Sequence, residues 1–581
     1  MDASVYDVSM NEVTKIQHRP YDKTLIGLHP NPLLNRLYAA RGLQSADEAD
    51  LSLQSLLLPD ALGNIDHAVS LIRQAIESNA RIVVVGDFDA DGATGTALAV
   101  RGLMMLGAKN VLFKVPHRIK HGYGLTPGLV DELSDLKPDL IITVDSGIAC
   151  LPGIAKAKQL GYKVLVTDHH LPGEVLPVAD AIVNPNLAND RFPSKALAGV
   201  GVMFYLLLAV RIKLREENAP YADADLSGLL DLVAIGTVAD MVKLDSNNRR
   251  LVRAGLARIN QGRCQPGVNA LLKVSGLNPG QISEIDIGFR IAPKINAAGR
   301  LEDMSLGIEC LLVDDFTQSL AMAETLHSIN LQRQELQQDM LLEVEQVMAA
   351  KTEPTDGLFS VCRILYGIDW HPGIIGLVAS KVKEQWHQPT LVFAPSEPGS
   401  EELRGSARSI PGFHIRDAIA QVDALHPQLI TRFGGHAMAA GLTLPNKNFA
   451  EFSVAFDKVA NALIDPESLR SIYWTDGQLQ NHEFCRETAL DIIQAGPWGQ
   501  GFAQPLFDNQ FEVSSWQVIK DKHLKMQLNV PGVRGTIDAI QFNGFKGSPP
   551  PKRLRAVFEL QTNDFRNRLD FQCLIRHIEP C

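Results

Sequence analysis

The sequence predicts a multidomain α/β protein with a parallel β-sheet in its N-terminal half and a small β-barrel at its C-terminus. Three observations carry this reading. Between Ile65 and Thr167, short apolar runs alternate with amphipathic segments, as in strand–helix–strand units of a parallel sheet. Phe316 to Lys351 holds neither proline nor glycine and repeats apolar residues at helical spacing. After Phe511, five short β-type runs are separated by turn residues, as in a small closed barrel.

Taken in order, residues 1 to 50 are polar and irregular and are expected to form an extended N-terminal arm. His67–Asn79 reads as a helix and Arg81–Gly86 (RIVVVG) as a buried strand, because an apolar run ends in glycine. Thr94–Leu106 is the next helix. Val111–Val115, Asp139–Val144 and Lys163–Thr167 continue the strands; Leu125–Leu136 and Leu151–Leu160 continue the helices. Leu197–Leu214 and Leu226–Val238 are apolar helical segments, and residues 282–311 mix glycine, basic and apolar residues without a clear period. A helix over Phe316–Lys351 would be about 54 Å long, and Thr352–Gly357 (TEPTDG) is expected to stop it. A second α/β block runs from Leu358 to about Asp465. The expected boundaries are an arm over 1–50, a first α/β domain over 51–315, a connecting helix over 316–351, a second α/β domain over 352–466 and the barrel over 467–581.

A chain of 581 residues exceeds what one hydrophobic core serves and fits roughly three or four domains. With 45% hydrophobic and 21% charged residues, the composition is that of a globular protein, and no apolar run is long enough for a membrane span. The first residues lack a basic region followed by an apolar stretch, so a cytoplasmic location is expected. Seven scattered cysteines, none in a Cys-x-x-Cys pair, argue against a disulfide framework or a cysteine zinc site. The net charge of −11 is unevenly spread. Trp516–Cys581 carries 11 Lys/Arg and 6 Asp/Glu, a net of +5, while the rest carries 44 and 60, a net of −16. A basic tail on an acidic body can form a local phosphate-binding surface.

Four acidic stations carry the chemistry. Gly86-Asp87-Phe88-Asp89-Ala90-Asp91-Gly92 sets three aspartates at alternating positions after a buried strand. Clustered carboxylates repel one another unless cations compensate, and an oxygen-rich set suits hard divalent ions. A calcium loop counted from Asp87 would need a glutamate where Leu98 stands. Val144-Asp145-Ser146-Gly147 ends a second strand, and Asp168-His169-His170 follows a third. Asp240 ends the apolar segment Gly236–Ala239. Strand ends of one parallel sheet share an edge, so these groups are expected to converge there. Two divalent ions in such a cluster would activate water and stabilise a transferring phosphoryl group.

The ordered series GDFDADG, VDSG, DHH and Asp240 resembles the four motifs of the DHH phosphoesterase family. Gly434-Gly435-His436-Ala437-Met438-Ala439-Ala440-Gly441 resembles the glycine-rich signature of its associated DHHA1 domain. Within the family the chain is most similar to the bacterial exonucleases specific for single-stranded DNA. Supporting stretches are Phe289–Arg300, Trp370–Gly376, Gly405–Ser409 and Pro497–Phe502. The resemblance implies a parallel-sheet DHH domain, a connecting helix, a DHHA1 domain and a C-terminal OB fold. It implies two ions, Mg²⁺ or Mn²⁺, at Asp87, Asp89, Asp91, Asp145, His169 and Asp240, with His170 completing the catalytic set. Asn296, Arg300, His371, Arg408, Gly434, Gly435 and His436 become candidates for binding substrate phosphate. Phosphatase branches of the family place a histidine four residues before the first aspartate ligand; Val85 stands there in this chain, and Asp87 is the carboxylate at hand to substitute.

The activity so implied is 5′→3′ exonucleolysis of single-stranded DNA to mononucleotides, in recombination, mismatch repair and base-excision repair. The implied partners are a single-strand binding protein and a RecQ-type helicase, and the implied state is a monomer. The rivals are a phosphodiesterase of short oligoribonucleotides or cyclic dinucleotides, and a non-catalytic DNA-binding scaffold. The barrel aromatics Trp516, Phe542 and Phe558 suit either stacking on DNA bases or packing in the barrel core.

Overall fold

The computed structural model describes residues 14–118, 120–350, 360–563 and 570–581. Five strands form a parallel sheet in the order Val111–Lys114, Ile82–Val85, Leu140–Val144, Lys163–Thr167, Ala181–Val183. The chain leaves Ile82–Val85 to build the neighbour on one side, then returns to build Leu140–Val144 on the other. The switch point therefore lies between the ends of Val85 and Val144, where open parallel sheets form a ligand crevice. Both faces of the sheet are covered. Ile82 and Val84 join the large core, while Val83 and Val85 join a smaller one with Leu129, Leu133 and Ile154. This is why the strand reads as an unbroken apolar run rather than an alternation.

Predicted and observed elements agree over most of this domain, with informative differences. The helix after the first strand spans Ala90–Met105, four residues earlier than its apolar pattern indicates. Asp89 caps it by accepting from Gly92 N at 3.0 Å, so the acidic loop is itself the helix start. Residues 282–311 are helical throughout most of their length and include a π-helical turn over Ile287–Ile291.

The expected N-terminal arm is extended only at Thr14–His18, a strand paired with Ser471–Thr475, and turns helical further on. Pro32–Ala39 is a helix capped by Asn31, and Leu33, Leu34, Leu37 and Tyr38 are buried. The apolar periodicity is too short to stand out in the sequence, and its burial depends on residues more than 400 positions away. Tyr38 donates to Ala495 O, and Arg41 makes a two-bond ion pair with Asp476, both N···O distances being 3.0 Å.

The C-terminal strands Phe507–Ile519, His523–Asn529, Ile537–Gln541, Asp570–Pro580 and Arg553–Asn563 close a barrel in that order. Residues 18–330 and 475–581 form one compact unit, and the barrel shares the large core with the parallel-sheet domain. A clasp joins them. Trp498 stacks on Phe502 with centroids 5.0 Å apart, Arg41 lies over Trp498, and the fully buried Arg249 lies 3.8 Å from the centre of Phe502.

A second compact unit contains the described residues of 14–17 and 331–474. Its sheet runs Arg432–Gly435, Ala439–Pro445, Glu402–Arg408, Thr390–Pro395, Arg363–Tyr366, antiparallel except for the last pair. The long helix is present over Phe316–Ala350, its 35 residues spanning both units. Its expected stop at Thr352–Gly357 lies outside the described residues.

The Arg41 and Asp476 side chains are 1% and 0% exposed. Removing one partner of a buried ion pair strands the other charge, at a cost of about 3–5 kcal/mol. Arg41→Ala is expected to lower the thermal midpoint markedly. The double variant Arg41→Met, Asp476→Leu is expected to lose less, as read by calorimetry.

Candidate active site

The acidic stations converge as strand topology requires. Ligand atoms of Asp87, Asp89 and Asp145 lie within 4.8 Å of one another, as do those of Asp145, His169 and His170, and those of Asp91, His169 and Asp240. Asp145 belongs to two of these groups and His169 to two, so the seven residues form one connected cluster. Asp87, in the loop that begins just past Val85, joins Asp89 and Asp145.

Local structure explains how each side chain is aimed. Asp145 has φ of 61°, a left-handed conformation that a non-glycine residue adopts only when its surroundings impose it. Met241, directly after Asp240, has φ of 59°. Two glycines permit close approach. A Cβ on Gly92 would lie 2.6 Å from Asp87 N, and one on Gly199 would lie 2.4 Å from Asp145 Cβ. The Asp91 carboxylate accepts from Gly199 N at 2.6 Å and Val200 N at 3.0 Å, docking the acidic loop on the N-terminus of the helix Gly199–Glu216.

The electrostatics of the cluster are strained. Burial, followed by repulsion from Asp89, holds the Asp87 and Asp91 carboxyls above their usual range, Asp91 at about 7. Burial and then Asp91 raise Asp145 well above its usual value and Asp240 to about 9. His169 is pushed down to about 4 by burial and by His170. His169 Nε2 lies 3.0 Å from Asp145 Oδ1 and 3.5 Å from Asp240 Oδ2. Yet His169 Nε2, Asp145 Oδ1 and Asp87 Oδ1 are buried without a hydrogen bond among the described residues. Buried polar atoms gathered at ligand spacing with no hydrogen-bond partner fit the donor set of hard divalent cations.

Sequence reasoning passed over three residues. Asp168 is fully buried and accepts from Ile148 N, His169 N and His170 N, and its Oδ1 lies 2.8 Å from His170 Nδ1. It orients both histidines. Burial opposes a charge on His170, but Asp168 outweighs it and raises that imidazole to about 9. Tyr123 donates to Asp145 O at 3.1 Å and sits 3.3 Å from His170 Nδ1. The Arg118 guanidinium stacks 3.9 Å from the centre of Phe88 and donates to Gly299 O. The available signal was the basic run His117–His121, which follows a strand of the same sheet.

The candidate phosphate binders divide between the two units. Asn296 and Arg300 lie on the helix Ala292–Leu301 of the first unit. The Asn296 side-chain oxygen is already used, accepting from Ala90 N at 2.9 Å, so it braces the acidic loop. His371, Arg408, Gly434, Gly435 and His436 belong to the second unit. There Arg408 ends a strand opposite Ala439, and Gly435, on the exposed edge strand, pairs with Ala440, which brings Arg408, Gly434 and Gly435 to one end of the sheet. Arg408 donates to Ser406 Oγ and Ala407 O, and His371 Nδ1 accepts from Gly373 N.

Comparison with known proteins identifies the domains. Residues 81–237 match the DHH family N-terminal domain, residues 357–462 the DHHA1 domain and residues 475–577 the RecJ OB domain. The chain is 44% identical to the single-stranded-DNA-specific exonuclease RecJ of Dickeya dadantii, covering 98% of this chain and 100% of that protein. It is 42% identical to the RecJ of Escherichia coli K12 over the same shares. The crystal structure of RecJ in complex with Mn²⁺ from Thermus thermophilus is 27% identical, with a TM-score of 0.80 over 98% of this chain and 79% of that one. A parallel-sheet domain with the four DHH motifs, a long helix, a DHHA1 domain and an OB barrel, matched end to end, place this chain in the RecJ family of DHH phosphoesterases.

Proposed function

We propose that the chain is a metal-dependent 5′→3′ exonuclease that hydrolyses single-stranded DNA to mononucleotides. The observation that carries this is the single connected cluster of Asp87, Asp89, Asp91, Asp145, His169, His170 and Asp240 at the switch point of the sheet. The substrate class comes from the RecJ relatives, which are single-stranded-DNA-specific exonucleases.

Asp145 joins Asp87 and Asp89 in one ligand set and His169 and His170 in a second, and His169 joins Asp91 and Asp240 in a third. Bound there, two Mg²⁺ or Mn²⁺ ions would supply an activated water and charge stabilisation for an in-line displacement. Burial and then His170 keep His169 neutral against the pull of Asp168, which holds the His169 backbone N–H, so that Nε2 can offer its lone pair to an ion. Arg118, beside the acidic loop, offers a guanidinium of the kind that binds phosphate in planar fashion. Arg300, Arg408, His371 and the Gly434-Gly435-His436 edge are assigned to the phosphates of the strand; a glycine edge lets backbone N–H groups approach an anion.

The barrel supports the choice of a single-stranded polymer. Phe558 is core, but Trp516 and Phe542 are exposed, Trp516 stacking on Phe545 and Phe542 packing edge-on to His523. Exposed rings among Lys520, Lys522 and Lys525 suit a strand that presents both bases and phosphates. The same reading implies a monomeric cytoplasmic enzyme that works beside a single-strand binding protein and a RecQ-type helicase in recombination and repair. Among the described residues no helix is long and apolar enough to cross a membrane.

Digestion of 5′- and 3′-end-labelled single-stranded DNA tests polarity and product size together. Mononucleotides released from the 5′ end are expected, and preferential cleavage of dinucleotides would favour the rival phosphodiesterase. Asp145→Ala is expected to lose at least about a thousandfold in rate, equivalent to about 4 kcal/mol; retained activity would remove the site assignment. Trp516→Ala with Phe542→Ala is expected to weaken binding to single strands, by about 1–3 kcal/mol per lost stack, with kcat little changed.

The raised carboxyls also predict a pH dependence. The unfolded aspartates titrate near 3.8, whereas folded Asp91 and Asp240 titrate near 7 and 9. The metal-free folded state thus holds more protons between these values, and its stability falls as pH rises through them. Cations favour the ionised carboxylates. Melting scans of metal-free protein should show a midpoint that declines from pH 5 to about 9, and Mn²⁺ should raise it most at the alkaline end. An equal Mn²⁺ effect at all pH values would contradict the assigned ligands.

A further inference from the structure

Next to Asp240 the first unit contains a cavity of about 390 Å³ that the metal cluster does not use. Ala239 and Met241, the two neighbours of Asp240, both line it. Opposite them are Phe289 on the π-helical turn, Glu284, and Trp498 of the clasp. The size is that of a small-ligand pocket, at the lower end of the usual range.

The lining selects among possible occupants. It is largely apolar, with carboxylates at Glu284 and Glu559. Its basic group, Arg576, is committed to Glu559 through contacts of 2.8 and 2.6 Å. Glu559 also accepts from Gln561 Nε2, and Glu284 Oε1 accepts from Trp498 N at 2.9 Å. The apolar walls suit a flat, neutral ring, and the second oxygen of Glu284 is placed to accept from an exocyclic amino group of a base. Thr237, another lining residue, has a fully buried hydroxyl without a hydrogen bond among the described residues. A buried orphan of this kind calls for a partner.

The rim is built at a conformational cost. Phe289 is 79% exposed and Met241 is 71% exposed, although both are large and apolar. Met241 is held in the left-handed region, and Phe289 is presented by a π-turn, a rare feature that concentrates at functional sites. The π-turn buries Ile287 and Ile291 in the core but leaves the Phe289 ring outside it, at the cavity rim with Met241.

We propose that this cavity receives one unstacked nucleobase of the strand whose phosphate lies at the Asp240 side of the metal cluster, with Phe289 and Met241 as its stacking rim. The proposal rests on the exonuclease reading above and deepens it. A base drawn out of the stack fixes the register of the strand, one nucleotide at a time. A base paired in a duplex is unavailable to the pocket, so the cavity contributes to strand selectivity.

The test uses 5′-phosphorylated single strands, each carrying one abasic site at successive positions from the 5′ end. With the wild-type chain and Mn²⁺, an abasic site at one position, or at two adjacent ones, is expected to raise KM about 5- to 100-fold, as expected for one lost stack. Phe289→Ala, at an exposed position, is expected to raise KM for the intact strand by a similar factor, to abolish the abasic effect at that position and to leave kcat within about twofold. Val242→Phe, which narrows the cavity, should do the same. An abasic profile identical in wild type and both variants, or an unchanged KM, would overturn the pocket while leaving the exonuclease reading intact. A wild type inactive on every strand would remove the exonuclease reading and the pocket with it.

Discussion

Carboxylates forced together out of water are the constraint on which the rest of this structure depends. Asp87, Asp91, Asp145 and Asp240 are all held where ionisation is unfavourable, and each is raised by burial and by its neighbours. The fold supplies the force that keeps them there. Asp91 is tied by two backbone N–H groups at a helix start, Asp145 sits at a strained φ, and Gly92 and Gly199 leave room for the backbone to close around them. A cation relieves the repulsion, so the energy stored in positioning the ligands becomes affinity for the ion.

The position of the cluster follows from chain topology rather than from any single motif. Because the strand order reverses between Ile82–Val85 and Leu140–Val144, the loops that leave them diverge to opposite faces and open a crevice. The GDFDADG loop enters this crevice from one strand and Asp145 from its neighbour, with Asp168–His170 one strand further on. Asp240 arrives differently, from the C-terminal end of the helix Leu230–Ala239, which completes the metal cluster and shapes the adjacent cavity.

The barrel is integral to this unit. It shares the large hydrophobic core, and the clasp of Trp498 and Phe502 is bracketed by Arg41 from the N-terminal segment and Arg249 from the catalytic domain. Two guanidiniums on aromatic faces tolerate burial better than ammonium groups would, because the guanidinium is planar and weakly hydrated. The N-terminal helix is bonded to the barrel segment through Tyr38 and Arg41, and Arg249 of the catalytic domain lies over Tyr38, so the helix acts as a strap between them.

The strands, most helices, the long helix and the barrel were legible because each rests on a local period or on an unbroken apolar run. The clustering of seven acidic and imidazole residues was legible because strand ends in a parallel sheet share an edge, and their order and spacing resemble a known family. What stayed hidden depends on distant partners. Asp168 reads as one more acid beside two histidines until its four hydrogen-bonding contacts are seen. That the Asn296 oxygen accepts from Ala90 N was likewise hidden. The helix at Pro32–Ala39 is too short for its period to speak, and its stability comes from residues near position 495. The sequence by itself determined which segments form elements and which groups carry charge. Tertiary structure alone decided which buried groups are paired, which are left to bind a cation, and where a cavity opens beside them, because pairing and burial are set by contacts between residues that the chain keeps far apart.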